Sequence, residues 1–139
     1  MTDERRGVPL ERKNKKAFIG GFDHAWDGIR LVIGSQRNMR FHVIIAVGVI
    51  VAGVVFRISP MEFALIALTI TVVFAAEIVN TAIEAVVDLV SSERHHPLAK
   101  TAKDCAAGAV LICAVGAVVV GVLVFHDEVF ELLRTLMSS

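Results

Sequence analysis

Five polar side chains interrupt an otherwise apolar stretch: Glu77, Asn80, Thr81, Glu84 and Asp88. On a helical wheel they share an arc of about 100°, while Ile78, Ala82, Val86 and Leu89 take the opposite side. A polar stripe therefore runs along one half of a helix that is hydrophobic elsewhere. Glu77 and Glu84 are two turns apart, about 10 Å along the axis. That separation suits two separate jobs better than one shared metal. Further along come Lys100, then Lys103 and Asp104, at the start of another apolar run. A lysine can hold a phosphate as a point charge, and an aspartate can hold a ribose hydroxyl or a metal-bound water. The plainer alternative is a solvated helix end with ordinary ion pairs. It fits Asp88 and the Lys103–Asp104 pair best and Glu77, the deepest of the set, least.

The elements that must carry these groups are set by composition. The chain has 139 residues, 55% hydrophobic and 20% charged, with no net charge. A soluble domain is less apolar and more charged, and the excess here is concentrated. Val43–Phe56 holds no polar side chain, and the 21 residues of Cys105–Phe125 hold no charge, amide or hydroxyl. A helix of that second length covers roughly 30 Å, one hydrocarbon core. This excludes a soluble globular domain and argues against a nucleic-acid binder, which would carry a basic excess. The sequence predicts an all-α membrane protein: spans at about 40–57, 60–91 and 100–125, preceded by an interfacial helix at about 17–37. Residues 1–16 read as a charged disordered tail and 126–139 as an extracytoplasmic tail. Arg40 and Arg57 can snorkel from the ends of the first span. Ser59 and Pro60 suit the N-cap and first turn of the second, and Pro97 ends the loop after it.

Phe18, Phe22, Trp26, Ile29 and Ile33 recur at helical spacing, with Asp23, Asp27, Arg30 and Arg37 largely elsewhere. This is an amphipathic interfacial helix with Trp26 as anchor. Of the fourteen Lys and Arg, nine precede the first span, one lies in the first loop, three in the second and one after the third. The alternation puts the N-terminus and second loop in the cytoplasm. No signal peptide is expected, because the first apolar run starts only at Val43. Cys105 and Cys113 read as small packing residues, and His95–His96 as surface residues of a loop. Small residues recur at Cys105, Ala109, Cys113, Ala117 and Gly121, and at Ala67, Thr71 and Ala75, a pattern that lets membrane helices pack closely. The short bundle with an acidic face to shelter favours oligomerisation. No phosphate-binding loop, dinucleotide fingerprint or zinc motif is present.

Two stretches carry a resemblance: Glu77-Ile-Val-Asn80-Thr-Ala-Ile-Glu84-Ala-Val-Val-Asp88, and His96-Pro-Leu-Ala-Lys100-Thr-Ala-Lys103-Asp104-Cys-Ala-Ala107-Gly108. With Ala25-Trp26-Asp-Gly28 and Arg37-Asn38-Met39-Arg40-Phe-His42, they resemble the small bacterial integral-membrane lipid kinases, the diacylglycerol kinase and undecaprenol kinase family, over roughly residues 18–125. The wording around Arg37-Asn38, Asn80-Thr81 and His96–Lys100 is closer to the undecaprenol branch. The resemblance implies a homotrimer in the bacterial cytoplasmic membrane that uses ATP and Mg²⁺. It implies Glu77 as general base on the lipid hydroxyl, Glu84 as metal ligand, and Asn80, Asp88, Lys103 and Asp104 at the nucleotide. Trp26, Arg40, Ala107 and Gly108 become candidates for contact with the lipid substrate or the interface. One position departs from the pattern. Where the family has a second metal-binding glutamate, this chain has Gln36, which offers an oxygen without charge. Undecaprenol is the expected acceptor, with diacylglycerol as the alternative. A reading of another class is a small transporter or assembly subunit, but it would want charge near mid-bilayer on more than one helix and needs no Lys103–Asp104 pair at the rim.

Overall fold

The computed structural model describes residues 10–92 and 96–138, which form four α-helices joined by short connections and no strand. They are α1 (Leu10–Ser35), α2 (Arg37–Phe56), α3 (Pro60–Ser91) and α4 (Pro97–Met137). Three of them, α2, α3 and α4, are long and apolar enough to cross a membrane. The expected all-α membrane architecture stands. The α1 helix is one compact unit and α2–α4 pack into a second.

The α1 helix begins earlier than its charge suggests. Residues 10–16, expected as disordered tail, are its first two turns, while residues 1–9 lie outside the described part. Leu, Glu, Arg and Lys are good helix formers, and no Pro interrupts residues 10–16. Phe22 and Trp26 stand exposed along it. Arg30 is not on the far side from these rings: its guanidinium lies 5.2 Å above the Trp26 ring, a cation–π contact at i,i+4 spacing.

A single extended residue, Gln36, separates α1 from α2, and its carbonyl accepts the N–H of Arg40 at 3.3 Å. The buried residues of α2 are Met39, Ala46 and Gly53, seven apart, so one narrow face packs inward. The helix closes on Arg57 in the left-handed region (φ 58°), with Arg57 N–H donating to Val54 O and Ile58 N–H to Gly53 O. This is a Schellman-type ending, with Ile58 folded back on Gly53. A Cβ on Gly53 would stand 3.0 Å from both Ile58 Cδ1 and Phe63 Cζ. Gly53→Val is expected to destabilise the bundle by about 1–3 kcal/mol through overpacking. Gly116→Ala, at a helical glycine with open space around it, should stabilise slightly. Thermal unfolding in detergent reads both; equal midpoints would overturn the packing account.

Helix α3 starts on a capping box. Ser59 N–H donates to Glu62 Oε2 at 2.6 Å, and Glu62 N–H donates to Ser59 Oγ at 3.3 Å. Pro60 takes the first helical position, as expected. With α4 it forms an antiparallel pair. At one end Phe56 and Phe125 stand 6.2 Å apart beside a core of Ile58, Ile66 and Val124. At the other, Lys103 Nζ donates to Asp88 Oδ1 at 2.5 Å.

Helix α4 is longer than the expected span at both ends. It starts at Pro97, capped by His96, whose Nδ1 accepts the Leu98 N–H at 3.2 Å. The loop position thus has a structural job; His95 lies outside the described residues. It also runs through the expected C-terminal tail to Met137, because nothing after Gly121 breaks it. At 41 residues it is about 60 Å long. The small stripe marks the seam only in part: Cys105 and Ala109 are exposed where Ala106 and Val110 are buried, Cys113, Ala117 and Gly121 are partly buried, and Ala67, Thr71 and Ala75 all face outward.

Candidate active site

The inward face of α3 runs through Ile66, Val73, Glu77 and Asn80. The positions alternate three and four residues apart once Ile70 and Glu84, both partly buried, are included. One seam thus changes character midway along the helix. Its lower half is the apolar core and its upper half is the acidic stripe. This is how a helix without any break holds a carboxyl group inside the bundle.

Glu77 is the extreme case, at 1% exposure with Oε2 lacking a hydrogen-bond partner. Asn80, at 7%, leaves its Oδ1 unpartnered and uses its amide to donate to Glu84 Oε1 at 3.1 Å. The Thr81 hydroxyl turns back to Glu77 O at 2.9 Å, so it offers no proton to the stripe. An unpaired buried carboxyl oxygen costs a large desolvation penalty. Ionisable groups at this depth in a membrane protein mark function by default.

Toward the end of α3 the groups become wetter. Asp88 is half exposed and binds Lys103, itself more than a third exposed. Asp104 does not pair with its neighbour Lys103 but with Lys100, one turn back on the exposed side of α4. The structure therefore brings Asp88 and Lys103 together across two helices and sets Lys100–Asp104 apart as a surface pair. Ala107 is exposed and Gly108 partly so, while Arg40 is exposed near the start of α2. Gln36 is partly buried, and its side chain makes no capping bond. Trp26 belongs to the separate α1 unit.

Sequence reasoning missed an apolar groove of about 500 Å³ among α2, α3 and α4. Ala46, Ile66, Val73, Ala117, Gly121 and Phe125 are among its walls, and it reaches His42 and Phe74, the turn before Glu77. The only sequence signal was the small residues of α2 and α4, which leave room where larger side chains would fill it. A hydrocarbon chain in such a groove would run along the membrane and end near a buried carboxyl group.

Among the described residues no three His, Cys, Asp or Glu side chains gather as a metal site. The donors on offer are hard oxygens, the Glu84 carboxylate and the unpartnered Asn80 Oδ1. They fit a magnesium ion that keeps waters and substrate phosphates as its other ligands, with one or two carboxylates from protein.

Three membrane-length helices, with carboxylates graded from buried to wet at one end, define an integral-membrane protein built for polar chemistry at the bilayer surface. Residues 23–125 match the family described as prokaryotic diacylglycerol kinase, and the chain belongs to that family. An undecaprenol kinase of Bacillus subtilis is 42% identical over 114 residues, 82% of this chain and 92% of that protein. A diacylglycerol kinase of Synechocystis is 46% identical over 104 residues, 75% of this chain. This chain spans only 59% of that relative's length. A diacylglycerol kinase of Escherichia coli K12 is 31% identical over 102 residues, covering 73% of this chain and 83% of that protein.

Proposed function

We propose that this chain is a lipid kinase that transfers the γ-phosphoryl group of ATP to the terminal hydroxyl of undecaprenol at the cytoplasmic membrane surface. The observation that carries the reading is Glu77, a buried carboxyl with a free oxygen, placed on the seam one turn beyond an apolar groove. The near full-length likeness to an undecaprenol kinase supports the acceptor. Diacylglycerol is the second reading, favoured by the higher identity to the Synechocystis diacylglycerol kinase.

In this reading Glu77 accepts the proton of the lipid hydroxyl as its oxygen attacks the γ-phosphorus. The β–γ bridging bond breaks and ADP leaves. The base never has to leave the membrane seam, and neither does the lipid. Asn80 holds the Glu84 carboxylate in place, and Glu84, with the oxygen of Gln36, would hold Mg²⁺. The ion, when bound, neutralises phosphate charge and aligns the phosphoryl group for transfer. Lys103, positioned by Asp88, supplies a second positive charge to the nucleotide, with Asp104 at the rim. Trp26, Arg40, Ala107 and Gly108 are candidate lipid or interface contacts. The nine Lys and Arg before α2 support a cytoplasmic N-terminus. The copies assemble as a homotrimer, as the resemblance implies.

The test is transfer from labelled ATP in detergent, with undecaprenol and diacylglycerol offered separately. Faster transfer to undecaprenol is expected, and no transfer to either lipid would sink the kinase reading. Gln36 gives a second test. A neutral oxygen binds Mg²⁺ less strongly than a carboxylate, so Gln36→Glu is expected to lower the Mg²⁺ concentration for half activity. An unchanged requirement would remove Gln36 from the metal shell.

A further inference from the structure

The apolar groove among α2, α3 and α4 has a polar head. Among the described residues that line it, only Thr69 and His42 carry polar side chains. The Thr69 hydroxyl donates back to Leu65 O at 2.7 Å on its own helix. The donor left for a guest is the ring of His42, which carries at least one N–H in either tautomer. Register puts it there. His42 follows the fully buried Met39 by three residues and precedes the buried Ala46 by four, so it shares the inward face of α2.

The other two helices set what stands around it. Val73 and Phe74 of α3 line the groove four and three residues before Glu77, so the carboxyl group stands over them on the same side of the helix. Glu77 is within electrostatic reach of His42 on the facing helix. The Asp88–Lys103 pair fixes the level of α4 against α3. Eleven residues further into the membrane on each helix, Glu77 comes level with Ala114; eleven more bring Ile66 level with Phe125, and these two do pack together. Ala114 lines the groove and offers only a methyl group. The head is thus bounded by one ring donor, one carboxyl group and one methyl. Toward Phe125 the walls are hydrocarbon apart from the self-bonded Thr69.

We infer that His42 reads the acceptor: its ring N–H donates to the hydroxyl oxygen of a lipid alcohol whose chain fills the groove, and turns the hydroxyl proton toward Glu77. The inference rests on the kinase reading and goes beyond it by naming what selects the acceptor. The hydroxyl oxygen has two lone pairs. One accepts from His42, the other attacks the γ-phosphorus, and the proton passes to Glu77. The class selected is a primary alcohol that is hydrocarbon right up to its carbinol carbon, as a polyprenol is. A diacylglycerol brings two ester groups close to its hydroxyl. The walls below His42 hold no free donor for them, and oxygens buried without partners are costly.

The test uses the full chain in detergent. Thermal unfolding is followed with undecaprenol, with squalene (an isoprenoid hydrocarbon without a hydroxyl) and without lipid. Undecaprenol is expected to raise the parent's midpoint more than squalene does. That difference should vanish in His42→Leu and persist in part in His42→Gln, which keeps a donor. No difference in the parent, the same difference in His42→Leu, or its complete loss in His42→Gln would overturn the proposal. Transfer from labelled ATP is the second readout. His42→Leu should raise the KM for undecaprenol about 2–10-fold, the loss of one hydrogen bond, and leave the KM for ATP unchanged. Ala114→Ser, which sets a second hydroxyl level with Glu77, should narrow the preference for undecaprenol over diacylglycerol; an unchanged ratio, or a parent that prefers diacylglycerol, would overturn the selectivity. The two readings fail separately. Hydroxyl-dependent binding without transfer would keep the role of His42 and sink the kinase, whereas transfer with the same lipid KM in parent and His42→Leu would do the reverse.

Discussion

Glu77→Gln is expected to leave the bundle folded and to reduce phosphoryl transfer by about 10²–10⁴-fold, the usual contribution of a positioned general base. The two side chains are nearly the same size, so packing along the seam of Ile66, Val73 and Asn80 is preserved. The variant exchanges a group that can take a proton for one that cannot. Stability separates this role from a structural one. A carboxyl oxygen buried without a partner is a cost to folding, so the neutral amide should unfold at the same temperature or higher. A residue kept for structure would behave the other way, losing stability and activity together. Measuring thermal unfolding and transfer to undecaprenol on one preparation decides between them. Activity within tenfold of the parent would remove Glu77 as the base.

The acidic face was legible from the spacing of Glu77, Asn80, Glu84 and Asp88, because polar groups contrast sharply with an apolar background. What the spacing could not reveal is that this face extends the apolar seam of Ile66 and Val73. Lipid and protein core are both apolar, so hydrophobicity does not distinguish which side of a membrane helix packs. The same blindness explains the small-residue stripe, which begins on Cys105 and Ala109 when the packed face begins on Ala106 and Val110. Both helix ends were underestimated for another reason. At residues 10–16 and 126–137 charge density suggested tails, but helix formation there needs only favourable propensity and no Pro or Gly. The Asp88–Lys103 pair was out of reach because it joins residues fifteen apart through a reversal at Pro97. Its register is set by how α3 and α4 pack and not by either segment alone.

That pair supplies the second large expectation. Lys103→Met should raise the KM for ATP and lower kcat/KM by about 10–100-fold, the worth of a charge-assisted hydrogen bond to phosphate at roughly 1.5–3 kcal/mol. Stability should hardly change. The pair is substantially exposed at both partners, and such bridges contribute about 0–1 kcal/mol. Asp88→Asn should act in the same direction but more weakly, since it frees Lys103 without removing its charge. Because Asp88 works through Lys103, the double variant should be no worse than Lys103→Met alone, a non-additivity that a double-mutant cycle measures directly. Lys103→Arg would not restore full activity, because a planar fork does not reproduce a compact ammonium set against one Asp88 oxygen. If instead both single variants lose stability and leave the KM for ATP unchanged, the pair is only a clasp between α3 and α4. The positive charge that faces the nucleotide's phosphates would then have to come from elsewhere on the rim, with Lys100 the nearest alternative on the same helix.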